Sequence, residues 1–135
     1  MGSLLDVNFA DRQQLKVLKD NEEVELRVKY CDITDQKNNP GRKNLALVFD
    51  VADDPLVDDI RQWIPIPADD LASEDPKRYS KQCDRFEAFL KAFSLVTPID
   101  TDNIVGQTGW AILSESENDQ SGEMQNGVRR FVEQR

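Results

Sequence analysis

A chain of 135 residues, 39% hydrophobic and 32% charged, supports one domain around one core and is too apolar for a disordered segment. Its net charge of −9 argues against broad electrostatic capture of duplex DNA. With no histidine, it lacks the commonest general base and the commonest zinc ligand.

Residues 1–21 read as a lead-in. Leu4, Leu5, Val7 and Phe9 suggest an extended piece, and Asp11 to Lys19 a short helix with Leu15 and Leu18 on one side, covering one end of the fold. Glu22–Asp32 is the first expected strand: Val24, Leu26, Val28 and Tyr30 alternate with Glu23, Glu25, Arg27 and Lys29, which places Tyr30 at the end of an inward series. Residues 35–43 carry Asn, Pro and Gly, mark a loop, and hold three cations, Lys37, Arg42 and Lys43. The second strand, Asn44–Ala52, puts Leu45, Leu47, Phe49 and Val51 on one face. The third, Asp58–Pro67, puts Ile60, Gln62, Ile64 and Ile66 on one side, with Arg61, Trp63 and Pro65 on the other.

A helix follows over Asp75–Leu95. Ser73 or Asp75 can cap it, Pro76 suits its first turn, and Tyr79, Cys83, Phe86, Phe89, Leu90 and Phe93 form an apolar stripe. Lys77, Arg78, Lys81 and Arg85 lie off that stripe, where a solvated helix face is the ordinary reading and a phosphate track the other. The fourth strand, Val105–Glu117, carries Gly106 and Gly109 as expected bends, with Trp110 in phase with Ile112. The fifth, Glu123–Glu133, ends the chain's regular structure.

Three strands, one helix and two strands is the element order of the OB-fold, a five-stranded barrel with one α-helix between its third and fourth strands. The expected fold is therefore mainly β, one such domain over residues 1–135. The second half, Phe86–Phe93, Ile104-Val105-Gly106-Gln107-Thr108-Gly109-Trp110-Ala111 and Glu123–Phe131, resembles the small OB-fold proteins of bacteriophage replication modules. That resemblance implies a single-stranded DNA-binding or replication-associated protein in a cytoplasmic setting, the host's if phage-encoded. Such proteins often end in a flexible acidic tail that recruits partners. Here the last residues are Phe131-Val132-Glu133-Gln134-Arg135, so recruitment through such a tail is not expected.

Single strands are held by aromatic faces and by cations on phosphates. OB-folds usually run the ligand over the second and third strands, between the loops after the first and fourth. The candidates here are Lys37, Arg42, Lys43, Arg61 and Trp63, extended by Lys29 and, at a barrel mouth, Trp110. Arg61 and Trp63 share a face by their spacing. A large indole usually packs, so burial under the helix or the lead-in is the stronger expectation for Trp63, and a core role for Trp110. Arg129, Arg130 and Phe131 are expected to close the sheet, with Phe131 packed and the arginines paired to acids.

Catalysis finds no constellation: no Ser–His or Cys–His pair can form, no phosphate loop is spelled, and the acidic pairs fit no calcium loop. Cys31 and Cys83 read as free thiols. No enzyme activity, cofactor, metal or membrane span is expected. The expected ligand is single-stranded DNA, with RNA as the other candidate, bound with steep salt dependence. Replication proteins are expected partners, and an exposed sheet edge offers a route to a homodimer. Two other classes fit the acidic composition: a non-catalytic adaptor that binds protein, and an acidic inhibitor that mimics nucleic acid.

Overall fold

The computed structural model describes residues 2–133 other than Phe9 and Asp11. Its elements in chain order are β1 (Glu23–Asp35), β2 (Lys43–Val51), β3 (Ile60–Pro65), α1 (Leu71–Glu74), α2 (Pro76–Ala92), α3 (Thr101–Ile104), β4 (Thr108–Glu117) and β5 (Met124–Val132). The protein is mainly β. Three helical segments rather than one separate β3 from β4, because Leu71–Glu74 and Thr101–Ile104 each make a single turn on either side of α2. The fourth strand starts at Thr108 instead of Val105, since α3 and a turn at Gly106, whose φ is +91°, use up the intervening chain.

The five strands form one antiparallel sheet in the order β3-β2-β1-β4-β5. It is not closed into a barrel, because among the described residues no backbone ladder joins the two edge strands. The edges nevertheless lie against one another, and side chains bridge them. Gln62 on β3 accepts a hydrogen bond from the Val128 N–H at 3.1 Å. Arg85 on α2 donates to the carbonyls of Val128 and Arg129 at 3.1 and 3.2 Å, with its guanidinium 5.1 Å from the centre of the Phe131 ring. Groups that a closing ladder would have paired are satisfied by an amide and a guanidinium.

α2 begins as its sequence dictates: Asp75 accepts the Arg78 N–H and Pro76 opens the first turn. Its apolar stripe delivers Phe89 and Phe93 into the sheet. There they meet Phe49 and Phe131, with ring centres 4.9 to 6.2 Å apart. Around this cluster pack Leu26, Val28, Leu45, Leu47, Val51, Ile60, Ile64, Ala111, Leu113 and Val128. Phe131 is packed, as its phase with the core requires, and Arg129 pairs with Asp20 at 2.7 Å.

Two irregularities reset which residues face inward. In β1 the register shifts between Val28 and Tyr30, so that Tyr30 turns outward and Cys31 packs on the core. In β5 the partner of Ile112 is Arg130 while that of Leu113 is Val128, which lets Val128 and Phe131 both face in. Gly109 is not a bend. A Cβ there would lie 2.6 Å from the Ala92 carbonyl and 2.7 Å from the Phe93 ring, so the missing side chain lets β4 run directly under the end of α2.

The lead-in contains no helix among its described residues. Asp11 itself lies outside them. The short helix expected from Asp11 to Lys19 loses to extended chain. Lys16 bridges Val57, and the Asn126 side chain both accepts the Leu18 N–H and donates to the Leu18 carbonyl, each at 2.9 Å. Two carboxylates fasten this segment. Asp20 takes hydrogen bonds from Arg129 and the Glu115 N–H, Asp54 one from Lys16, and each is held below the ordinary carboxylate range by those bonds. A lowered folded pKa means that the fastening is complete above the ordinary range and is lost as pH falls through the lowered values. Hydrogen exchange at the Lys16 and Leu18 amides, corrected for intrinsic rate, should show constant protection near neutrality and loss of it in acid. Protection unchanged into strong acid would contradict this fastening.

Gly109→Ala should destabilise the protein by about 1–3 kcal/mol or more through overpacking against a carbonyl that cannot move freely. Urea denaturation checks this, and a change under about 0.5 kcal/mol, the range of an ordinary surface substitution, would contradict it.

Candidate nucleic-acid interface

The outward face of β3 and β2, continued onto the far half of β1, carries the candidate site. Register alone places its residues. Arg61 stands across from Val48, and Val48 across from Tyr30; Trp63 stands across from Ala46, and Ala46 across from Asp32. Neighbouring strands lie about 4.8 Å apart, so Trp63, Arg61 and Tyr30 fall within one patch roughly 10 Å wide. Trp63 is 56% exposed and Tyr30 51%. Burial of Trp63 is thus overturned. α2 packs on the opposite face of the sheet, and the lead-in crosses beyond the start of β3, so neither covers it. Tyr30, which simple alternation turns inward, stands outside because of the β1 bulge, with its hydroxyl donating to Asp32 at 3.1 Å.

One wall of a cleft of about 530 Å³ is formed by Asp58, Asp59, Arg61 and Trp63; the β4–β5 hairpin forms the other, with Ser116, Asn118, Glu123, Met124 and Gln125. Asn118 is committed to the turn, accepting the N–H groups of Gln120 and Ser121 and donating to Gln125. Sequence reading missed this wall. The polar run after the fourth strand was legible as a turn, but its approach to β3 depends on the side-chain bridges between the sheet edges.

The expected cations divide. Arg61 and Lys37 are exposed and have no ion-pair partner among the described residues. Arg42, whose side chain is only 15% exposed, is held by Asp70 and by Glu74 at 2.9 Å, tying the β1–β2 loop to α1. Lys43 pairs with Asp35 and Lys29 with Asp59. The same ion pairs occupy members of the aspartate clusters, Asp54, Asp59 and Asp70, so these acids do not form one bare anionic surface.

Trp110 is 42% exposed rather than in the core, because Ala111 and Leu113 take the inward positions of β4. It is not brought to Trp63. Trp110 pairs across to Glu25 whereas the Trp63 row ends at Asp32, roughly 23 Å further along β1. Arg27 and Asp50 form an ion pair at 2.7 Å between these regions, on the same outward face.

No group of three or more His, Cys, Asp or Glu placed to hold a metal occurs among the described residues. No described helix is long and apolar enough to cross a membrane. The two thiols are unpaired, and burial pushes Cys31 up to about 11, first by desolvation and then by Asp32. In comparisons with known proteins, neither a family model nor a curated sequence matches the chain. At pH 8 Cys31 should resist alkylation, reacting at least roughly tenfold more slowly than an unstructured cysteine, because thiolate is the attacking species. Equal rates at Cys31 and in an unfolded control would contradict its burial.

Proposed function

We propose that this protein is a single-stranded nucleic-acid-binding domain of OB type, an incompletely closed barrel in which side chains stand in for the last ladder. Its ligand is single-stranded DNA, organised or protected during replication or recombination. The observation that carries this reading is an indole more than half exposed beside a free arginine, on the outward sheet face that borders a polar cleft. Leaving a Trp in water forgoes its burial, and stacking on a base recovers it. The strand order agrees: running from β3 through β2, β1 and β4 to β5, it brings the first and last of these side by side as an OB barrel does.

Stacking, not charge, supplies most of the proposed affinity. With Lys29, Arg42 and Lys43 neutralised within the protein, Arg61 is the free cation among the described residues that lines the groove, and the slope of log K on log salt for a short strand is about −0.7. This is shallower than the count of loop cations in the sequence implies.

Trp63→Ala should weaken binding of a labelled single strand by about 1–3 kcal/mol in fluorescence anisotropy, with the thermal transition unchanged. Equal affinity in the folded variant would remove the assignment. Asp70→Asn with Glu74→Gln should free Arg42, tighten binding and steepen the salt slope by about 0.7. No change in slope would place Arg42 outside the path of the strand.

A second reading has its own observation. Trp63 and Tyr30 are both exposed around half-buried Ala46 and Val48, an apolar patch of the kind that docks protein. In that case Trp63→Ala abolishes capture of a protein partner while the wild-type protein leaves single strands unbound.

A further inference from the structure

α2 places its cations against the usual rules for a helix. Lys77, Lys81 and Arg85 follow one another at i, i+4 and i+8, a like-charge series that costs a helix a few tenths of a kcal/mol per pair. Lys77 and Arg78 stand in the first turn, where the helix dipole favours acids, and that turn carries none. The chain has 26 acidic residues, yet among the described residues none lies within ion-pair distance of Lys77, Arg78 or Lys81. Around the groove, by contrast, Arg27, Lys29, Arg42 and Lys43 are all paired. Among the described residues the carboxylate lining their cleft is Asp75, which accepts the Arg78 backbone N–H as the helix cap, while Asp70 and Glu74, which line the adjoining cleft with Arg78, are held by Arg42.

The position of these cations is equally specific. They share their cleft with Pro65, and Pro65 is the next residue after Trp63 on the outward face of β3, roughly 7 Å along the strand. From there Lys77 to Arg85 extends roughly 12 Å further along the helix. We infer that α2 carries a second phosphate track, continuous with the Trp63 groove, so that a strand longer than the groove leaves β3 over Pro65 and lays its backbone on Lys77, Arg78 and Lys81. This rests on the single-strand reading above. It adds a surface outside the strands and loops that an OB-fold ordinarily uses. Arg85 is the inner end of the track and is already engaged, since it holds the β5 carbonyls.

The test compares oligo(dT) of about 5 and about 15 nucleotides, within the span of site sizes seen for such folds. The wild-type protein is set against the triple variant Lys77→Gln, Arg78→Gln, Lys81→Gln. All three side chains are exposed, so the variant keeps its core, and circular dichroism confirms the fold. The wild type should bind the longer strand with a salt slope steeper by about 2 than the shorter one, three phosphates at about 0.7 each. The triple variant should lose that difference and leave the short strand unaffected. Equal slopes for both lengths in the wild type, or equal weakening of both in the variant, would overturn the track and leave the groove standing. Binding of neither length by the wild type would overturn the groove and the track together.

Discussion

Everything that faces the solvent cleft depends on how the edges of the sheet are joined without a ladder. Gln62 and Arg85 reach the Val128 and Arg129 backbone from two different elements, one on β3 and one on α2. Their contacts bring the β4–β5 hairpin beside β3 and so create the wall opposite Trp63. They also protect β5 from edge-to-edge pairing, since its amide and carbonyls at this point are already satisfied. The phenylalanine cluster holds the same pieces from below: Phe49 from β2, Phe89 and Phe93 from α2, Phe131 from β5, with the Arg85 guanidinium over the last of these rings.

A small β-domain with an open seam has two faces to dispose of, and here they differ in kind. The inner face is a dry aromatic and aliphatic core covered by one helix. The outer face of β3, β2 and the far end of β1 is covered by nothing among the described residues and keeps two large rings in water. Around it the chain neutralises its own cations one by one. The acidic total therefore does not make this face a single-sign surface, and neither does it leave a basic groove. What faces a ligand is ring area, one free guanidinium, neutral amides and the carboxylates Asp58 and Glu123 at the cleft, a combination suited to bases more than to phosphates.

The five strands and the long helix between the third and fourth, the inward faces of β2 and β3, the helix cap and the placing of Arg61 with Trp63 on one side were legible, because each follows from a period of two or of 3.6 residues. The bulges were not. Nothing in Val28-Lys29-Tyr30 announces a register shift, yet a single inserted residue exchanges the two faces of the strand beyond it, which is why Tyr30 lies outside. Trp110 failed for a related reason: alternation says that it opposes Ala111, but not which of the two faces the core. Gly109 reads as a bend until α2 is seen to cross it. Arg42 and Lys43 illustrate a further limit. Their charge is visible in sequence, while the carboxylates that occupy them lie beside and on α1 and at the end of β1, fixed only by the fold.

The central claim is that the Trp63 ring is an open stacking surface. Intrinsic fluorescence of a Trp110→Phe protein, in which Trp63 is the remaining tryptophan, reports on that ring alone. Titration with unlabelled oligo(dT) of about 5 nucleotides should quench it in a saturable way, with log K falling against log salt at a slope of about −0.7. Emission that stays constant while the strand demonstrably binds would show that the strand passes elsewhere, and the account of this face as a base-stacking platform would be wrong.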